Sequence, residues 1–161
     1  MFFNNFSPLP LEGQGLGEKV FLKDFTVLGF DFGLRHIGVA VGQTVTGTAH
    51  ALASLKARNG TPVWEEIAAL ISQWQPRALI VGVPIGLDGS EQSITQAARK
   101  FAEQLHEHTQ LPVHLVDERF TTLEAKQHLF ERGGSRALSK DNIDGWSAKI
   151  ITENGLKQWA D

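Results

Sequence analysis

The chain has 161 residues, 42% of them hydrophobic, which gives room for one domain with a real core. It contains no cysteine, so disulfides and thiolate metal centres are excluded, and a reducing cytoplasm suits it. With 15 Lys and Arg against 18 Asp and Glu, its net charge of −3 argues against holding nucleic acid by global attraction.

Residues 1–25 read as a flexible N-terminal extension, and residues 26–161 as the folded domain. The start, Met1-Phe-Phe-Asn-Asn-Phe-Ser-Pro-Leu-Pro, lacks the basic opening and continuous apolar run of a signal peptide. Residues 11–18 are glycine-rich. No stretch approaches the roughly 20 apolar residues of a membrane span.

Thr26-Val-Leu-Gly-Phe-Asp-Phe has the β-branched and aromatic content of a core strand. Ile37-Gly-Val-Ala-Val-Gly follows as a second strand, and residues 48–55 as a weaker third. The short links between them predict an antiparallel meander. The period then changes. Pro62 opens a predicted helix with Trp64, Ile67, Ala68, Ile71 and Trp74 on one side, and Pro76 stops it. Ala78-Leu-Ile-Val-Gly-Val is continuously apolar, as a strand covered on both faces should be. A helix over 90–109 follows, then the strand Val113-His-Leu-Val. Thr121 and Glu124 have capping-box spacing and predict a third helix, ended by Gly133-Gly134. A last helix is expected from about Ser139 to Trp159. The sum is a mixed five-stranded α/β sheet: three antiparallel strands, then a parallel βαβαβ run, flanked by helices.

Three acids occupy places where acids are costly. Asp31 sits inside an apolar strand, where an unpaired carboxylate needs hydrogen bonds or a cation. Gly29 and Gly33 share its pleat face, which predicts open space beside it. Glu118 lies at the carboxyl end of a strand, where ligands gather in open α/β sheets. Asp144 falls on one helical face with Ala148, Ile151 and Gly155, an otherwise small and apolar face expected to pack on the sheet. Converging, the three would form a hard-oxygen site suited to Mg²⁺ or Mn²⁺ and to two-metal phosphodiester chemistry. His36, His50 and His114 lack zinc-like spacing.

The strand-to-helix turn Gly82-Val-Pro-Ile-Gly-Leu-Asp-Gly-Ser-Glu offers Gly86, Gly89 and Ser90 as phosphate-facing groups, although Asp88 and Glu91 could equally be a capping pair. It lacks the Lys of a Walker loop. Arg35, Arg119 and Lys140 are expected to contact the nucleic-acid backbone. Trp146 is read as packing its helix.

These residues together resemble the YqgF/RuvX family of ribonuclease H-like proteins, described as Holliday junction resolvases and as pre-16S rRNA processing nucleases. The resemblance covers about residues 27–158. Its carriers are Phe30-Asp-Phe-Gly with Ile37-Gly-Val-Ala-Val-Gly, Val81-Gly-Val-Pro with Asp88-Gly-Ser-Glu, Asp117-Glu-Arg-Phe-Thr-Thr, and Lys140 with Asp144 and Ala148. It implies Asp31, Glu118 and Asp144 as catalytic, metal-binding acids, with Arg119 and Thr121 supporting them. It also implies a structured nucleic-acid substrate. Departures stand at Leu34, where the family has Thr, and at Gly145-Trp146, where it has small residues.

The function expected is therefore metal-dependent phosphodiester hydrolysis, in 5′-end processing of pre-16S rRNA within a ribosomal precursor particle. Its rivals are junction resolution, which would call for a homodimer, and a catalytically silent nucleic-acid-binding module. An ATPase of the actin and hexokinase type needs two such domains, which this length does not supply.

Overall fold

The computed structural model describes residues 24–118 and 140–160, with side chains in the second stretch described from Gly145 to Gln158. The extension up to residue 23 and the expected helix led by Thr121 lie outside the described residues. The elements are β1 (Thr26–Asp31), β2 (His36–Gln43), β3 (Thr48–Arg58), β4 (Thr61–Pro62), α1 (Trp64–Trp74), β5 (Ala78–Val83), α2 (Ser93–Thr109), β6 (Val113–Asp117) and α3 (Lys140–Ala160).

The strands form one mixed sheet in the order β4-β3-β2-β1-β5-β6. β1, β2 and β3 are the expected antiparallel meander, and β1, β5 and β6 run parallel. There are six strands among the described residues and not the five expected. The addition is the two-residue β4, which pairs with Ala57 and Arg58. Pro62 therefore ends an edge strand, where its missing N–H is tolerated, and α1 begins at Trp64. Likewise β3 runs on to Arg58, past the expected residue 55.

Alternation along each strand separates two interiors. Leu28, Phe30, Leu79 and Val81 face α1 and α2, packing with Ile67, Ala98, Phe101 and Leu105. Val27, Ile80 and Val116 face the other way, against Ile151 and Leu156 of α3. Asp31 shares this second face with Val27, because side chains two apart lie on one side.

α3 crosses the strands from β3 to β6. A Cβ built on Gly145 would lie 3.3 Å from Ala51 on β3. Thr152 sits over Gly29 of β1, Gly155 over Ile80 of β5, and Gln158 Oε1 is 2.6 Å from His114 Nε2 on β6. The approach is close because glycines make it so. A Cβ at Gly29 would fall 1.8 Å from Thr152 Oγ1, and one at Gly33 would fall 2.4 Å from the carbonyl oxygen of His36. The open space expected beside Asp31 from these two glycines is thus filled, by a helix and by a turn. The N-terminus of α2 also differs from expectation. Thr95 Oγ1 accepts from the Gln92 N–H, while Asp88 accepts from the Ser90 N–H and Glu91 pairs with Arg99. Among the described residues no helix is long and apolar enough to cross a membrane.

Candidate active site

β1 and β6 both end at the carboxyl edge of the sheet, with β5 between them. On one rung, Gly82 is the register partner of both Asp31 and Val116. Glu118 lies two residues beyond Val116, on the same face. Gly82 has no side chain, and an ideal Cβ there would lie 2.8 Å from Glu118 Oε2. Glu118 can therefore reach back across the β5 backbone to Asp31.

The two carboxyls are hydrogen-bonded to each other. Burial is the largest influence on Glu118. The charge of Asp31, the hydrogen bond with Asp31 and the charge of Asp117 follow, and together they push its pKa up to about 9. At neutral pH the pair thus shares a proton, since two adjacent carboxylates in a desolvated setting cannot both stay ionised.

Glycine flanks Asp31 on its other side as well. Gly38 of β2 is its antiparallel partner, and Ser54 of β3 is the partner of Gly38. The row Val116, Gly82, Asp31, Gly38, Ser54 crosses five strands. Neither neighbour of the acid carries a side chain that could shield it. The pairings that create this arrangement are tertiary, which is why periodicity along the sequence does not reveal Gly38 and Gly82.

The third expected acid belongs to α3. Ile151 lies over Gly82, so the helix side that it occupies faces the carboxyl edge of the sheet. Backbone position 144 is on that same side, two turns earlier and about 10 Å toward β3 at 1.5 Å per residue. The side chains of Asp144 and Lys140 lie outside the described residues, as do Arg119 and Thr121. Among the described residues no group of three acids or histidines converges, so the Asp31–Glu118 pair is the part of the site on view.

Arg35 is exposed in the turn after β1, at the same edge. Gly86, Gly89 and Ser90 follow β5 there too, but their backbone N–H groups are engaged within the loop. Gly86 donates to the Ser90 carbonyl, Gly89 to the Gly86 carbonyl and Ser90 to Asp88 Oδ1. The loop is a self-bonded turn, and it does not present those three groups as a ready phosphate cradle. Trp146 is half-buried, with Lys149 Nζ 4.7 Å from its ring centroid.

A family model described as "RuvX: Holliday junction resolvase" matches residues 25–158. The chain belongs to the RuvX family. It is 53% identical over 133 residues to a protein of Glaesserella parasuis serovar 5 (strain SH0165) named "Putative pre-16S rRNA nuclease", covering 83% of this chain and 96% of that one. A protein of the same name from Photorhabdus laumondii subsp. laumondii is 52% identical, again over 83% and 96%. Among solved structures, T. thermophilus RuvC in complex with a Holliday junction substrate superposes with a TM-score of 0.50 at 13% identity, covering 84% of this chain and 96% of that one. The Fowlpox virus Holliday junction resolvase does so at 0.50 and 14%, over 83% and 99%. At these identities the likeness shows the fold, which is the expected ribonuclease H-like one. This RuvX chain is accordingly a nuclease that hydrolyses phosphodiester bonds.

Proposed function

We propose that the site cleaves RNA with Mg²⁺ or Mn²⁺ held by Asp31, Glu118 and Asp144, and that its substrate is the 5′ region of pre-16S rRNA in a cytoplasmic ribosomal precursor particle. The carrying observation is the Asp31–Glu118 pair: two carboxyls hydrogen-bonded to each other, with burial and the Asp31 charge pushing the Glu118 pKa up to about 9. Such a pair suits a hard divalent cation, which favours carboxylate oxygens and relieves the repulsion that the proton now relieves. When bound, the ion would neutralise charge on the phosphodiester and lower the pKa of an attacking water. The chain's own part is to give up the shared proton and to hold the two acids together across the side-chain-free Gly82 position of β5. Arg35, Arg119 and Lys140 are assigned to backbone phosphates, and Thr121 to support of Glu118.

The names of the relatives support the RNA reading. The family description favours a four-way DNA junction instead, for which a homodimer would present two sites. One assay separates them. An RNA carrying a 5′ extension ahead of the mature 16S end, and a four-way DNA junction, are each incubated with Mn²⁺ and the wild type or Asp31→Asn. Cleavage of the RNA alone, lost in the variant, is expected. Cleavage of the junction alone would overturn the substrate, and equal cleavage by Asp31→Asn would overturn the site. Substrate binding by both proteins with cleavage by neither would indicate a silent binding module.

A further inference from the structure

Beyond the acid pair, the row that carries Asp31 ends in a cavity. It has a volume of about 500 Å³, and its lining includes His36, Ala51, Ser54, Lys56 and Gly145. Size alone places it in the range of ligand sites. Its position is more telling. Ser54 stands on the Asp31 rung with only Gly38 between them, two strand spacings or about 10 Å away. His36 and Lys56 are paired on the next rung of the same face. Gly145 closes the far side at the start of α3, one residue from Asp144. The cavity therefore lies on the same sheet face as the acids, one glycine-bearing strand away from Asp31.

Two polar atoms of its lining residues stand out. Ser54 Oγ and His36 Nδ1 are both buried and have no hydrogen-bond partner among the described residues. A buried polar atom left unpaired costs about as much as a lost hydrogen bond, so native chains seldom retain one without a use. Here there are two, on adjacent rungs, at one cavity. A β-bulge between Val39 and Ala40 adds a residue to β3 just before Ser54. Bulges re-aim side chains, and this one returns Ser54 to the Asp31 face after Leu52 has joined the opposite core. Lys56, also in the lining, is exposed. The lining thus combines a hydroxyl, an imidazole and a cation, which are groups that meet a nucleotide's polar edges and its phosphate.

We infer that this cavity is a nucleotide subsite, which holds the substrate nucleotide next to the cleaved phosphodiester by hydrogen bonds from Ser54 and His36 and a phosphate contact from Lys56. The inference rests on the reading of Asp31 and Glu118 as the cleavage centre. It adds a means of setting which bond is cut: a nucleotide seated about 10 Å along the rung fixes the register of the strand over the acids.

Ser54→Ala and Lys56→Ala are compared with wild type on the RNA that the enzyme cleaves, after thermal unfolding has shown both to be folded. Ser54→Ala should raise KM about five- to tenfold while kcat stays within about twofold, the pattern of lost uniform binding. Lys56→Ala should flatten the dependence of log affinity on log salt by about 0.7, one phosphate contact on a single strand. That slope is measured by fluorescence anisotropy with the same RNA, labelled, in an Asp31→Asn background, so it needs no catalysis. Unchanged KM for Ser54→Ala, together with an unchanged salt slope for Lys56→Ala, overturns the subsite and leaves the cleavage centre standing. Full activity of Asp31→Asn overturns the cleavage centre instead. Should Ser54→Ala unfold, Ser54→Thr keeps the hydroxyl, and its KM must then stay within about twofold of wild type.

Discussion

Glu118 retains its proton at neutral pH because desolvation and the Asp31 charge both oppose its ionisation. The consequence for stability has a definite sign. In the unfolded chain this carboxyl titrates near its ordinary value of 4.5, and in the folded, metal-free protein near 9. Between those values the folded state holds a proton that the unfolded state lacks. Stability is therefore highest below about pH 4.5 on account of this group, and declines as pH rises toward 9. Glu118→Gln removes the burden. At pH 8, without divalent metal, it should raise the unfolding midpoint by at least about 2 °C, and at pH 5 by distinctly less; scanning calorimetry at the two pH values checks this. The same variant should cleave on the order of 10³-fold more slowly, the scale of several kcal/mol of lost charge stabilisation. A stabilised, inactive protein is the mark of a residue kept for chemistry. Asp31 stands out in the sequence because an acid inside an apolar strand is expensive, whereas Glu118 stands out only by its place at the carboxyl end of a strand, together with the other acids and the family resemblance. Their glycine neighbours were not legible, since Gly38 and Gly82 acquire their meaning only from strand register. Gly29 and Gly33 were misread as clearance for a ligand, when one admits Thr152 and the other a carbonyl oxygen.

At the scale of elements, α3 is held to the sheet by small residues set against larger ones, and this makes its seat rigid. Gly29→Ala would place a Cβ 1.8 Å from Thr152 Oγ1 and 2.8 Å from Thr152 Cβ. It should cost about 1–3 kcal/mol by denaturant unfolding. Adding Thr152→Ala removes the hydroxyl clash and leaves the Cβ contact, so stability should recover only in part, and the two changes should be non-additive. Cleavage should fall along with stability, because the helix that Gly29 seats is the one bearing Asp144. Strictly additive effects would mean that the two residues do not meet. Strands and helices themselves read well from hydrophobic period: β1, β5 and β6 fall within a residue or two of expectation, and α3 likewise. The errors cluster where side-chain pattern carries little information. The edge strand β4 has only two residues, one of them proline, and its pairing with Ala57 and Arg58 is fixed by β3 running on past its apolar stretch. At the turn 86–90 the glycines leave a phosphate-facing loop and a mere chain turn equally open in the sequence, and the described N–H groups of Gly86, Gly89 and Ser90 close the turn on itself.

Taken as a whole, the molecule divides its labour between the two faces of one sheet. The face under α1 and α2 is apolar and supplies the larger core, while the face under α3 carries the acids and the cavity. A net charge of −3 is compatible with this division, since attraction for phosphates need only be local. The family match begins at residue 25, and Phe25 is itself buried, its N–H donating to Thr44 Oγ1. A chain beginning at Asp24 should accordingly unfold within about 2 °C of the full chain and cleave at an unchanged rate. The central claim, that Asp31 and Glu118 trade their shared proton for a divalent cation, has a direct measurement. It is calorimetric titration of Mn²⁺ into wild type, Asp31→Asn and Glu118→Gln, repeated in buffers of different ionisation enthalpy so that released protons are counted. Wild type should bind with release of close to one proton at pH 7, and about tenfold more tightly for each unit by which the pH rises toward 9. Both variants should bind at least tenfold more weakly. Binding of equal strength in all three proteins, with no proton released, would contradict the account.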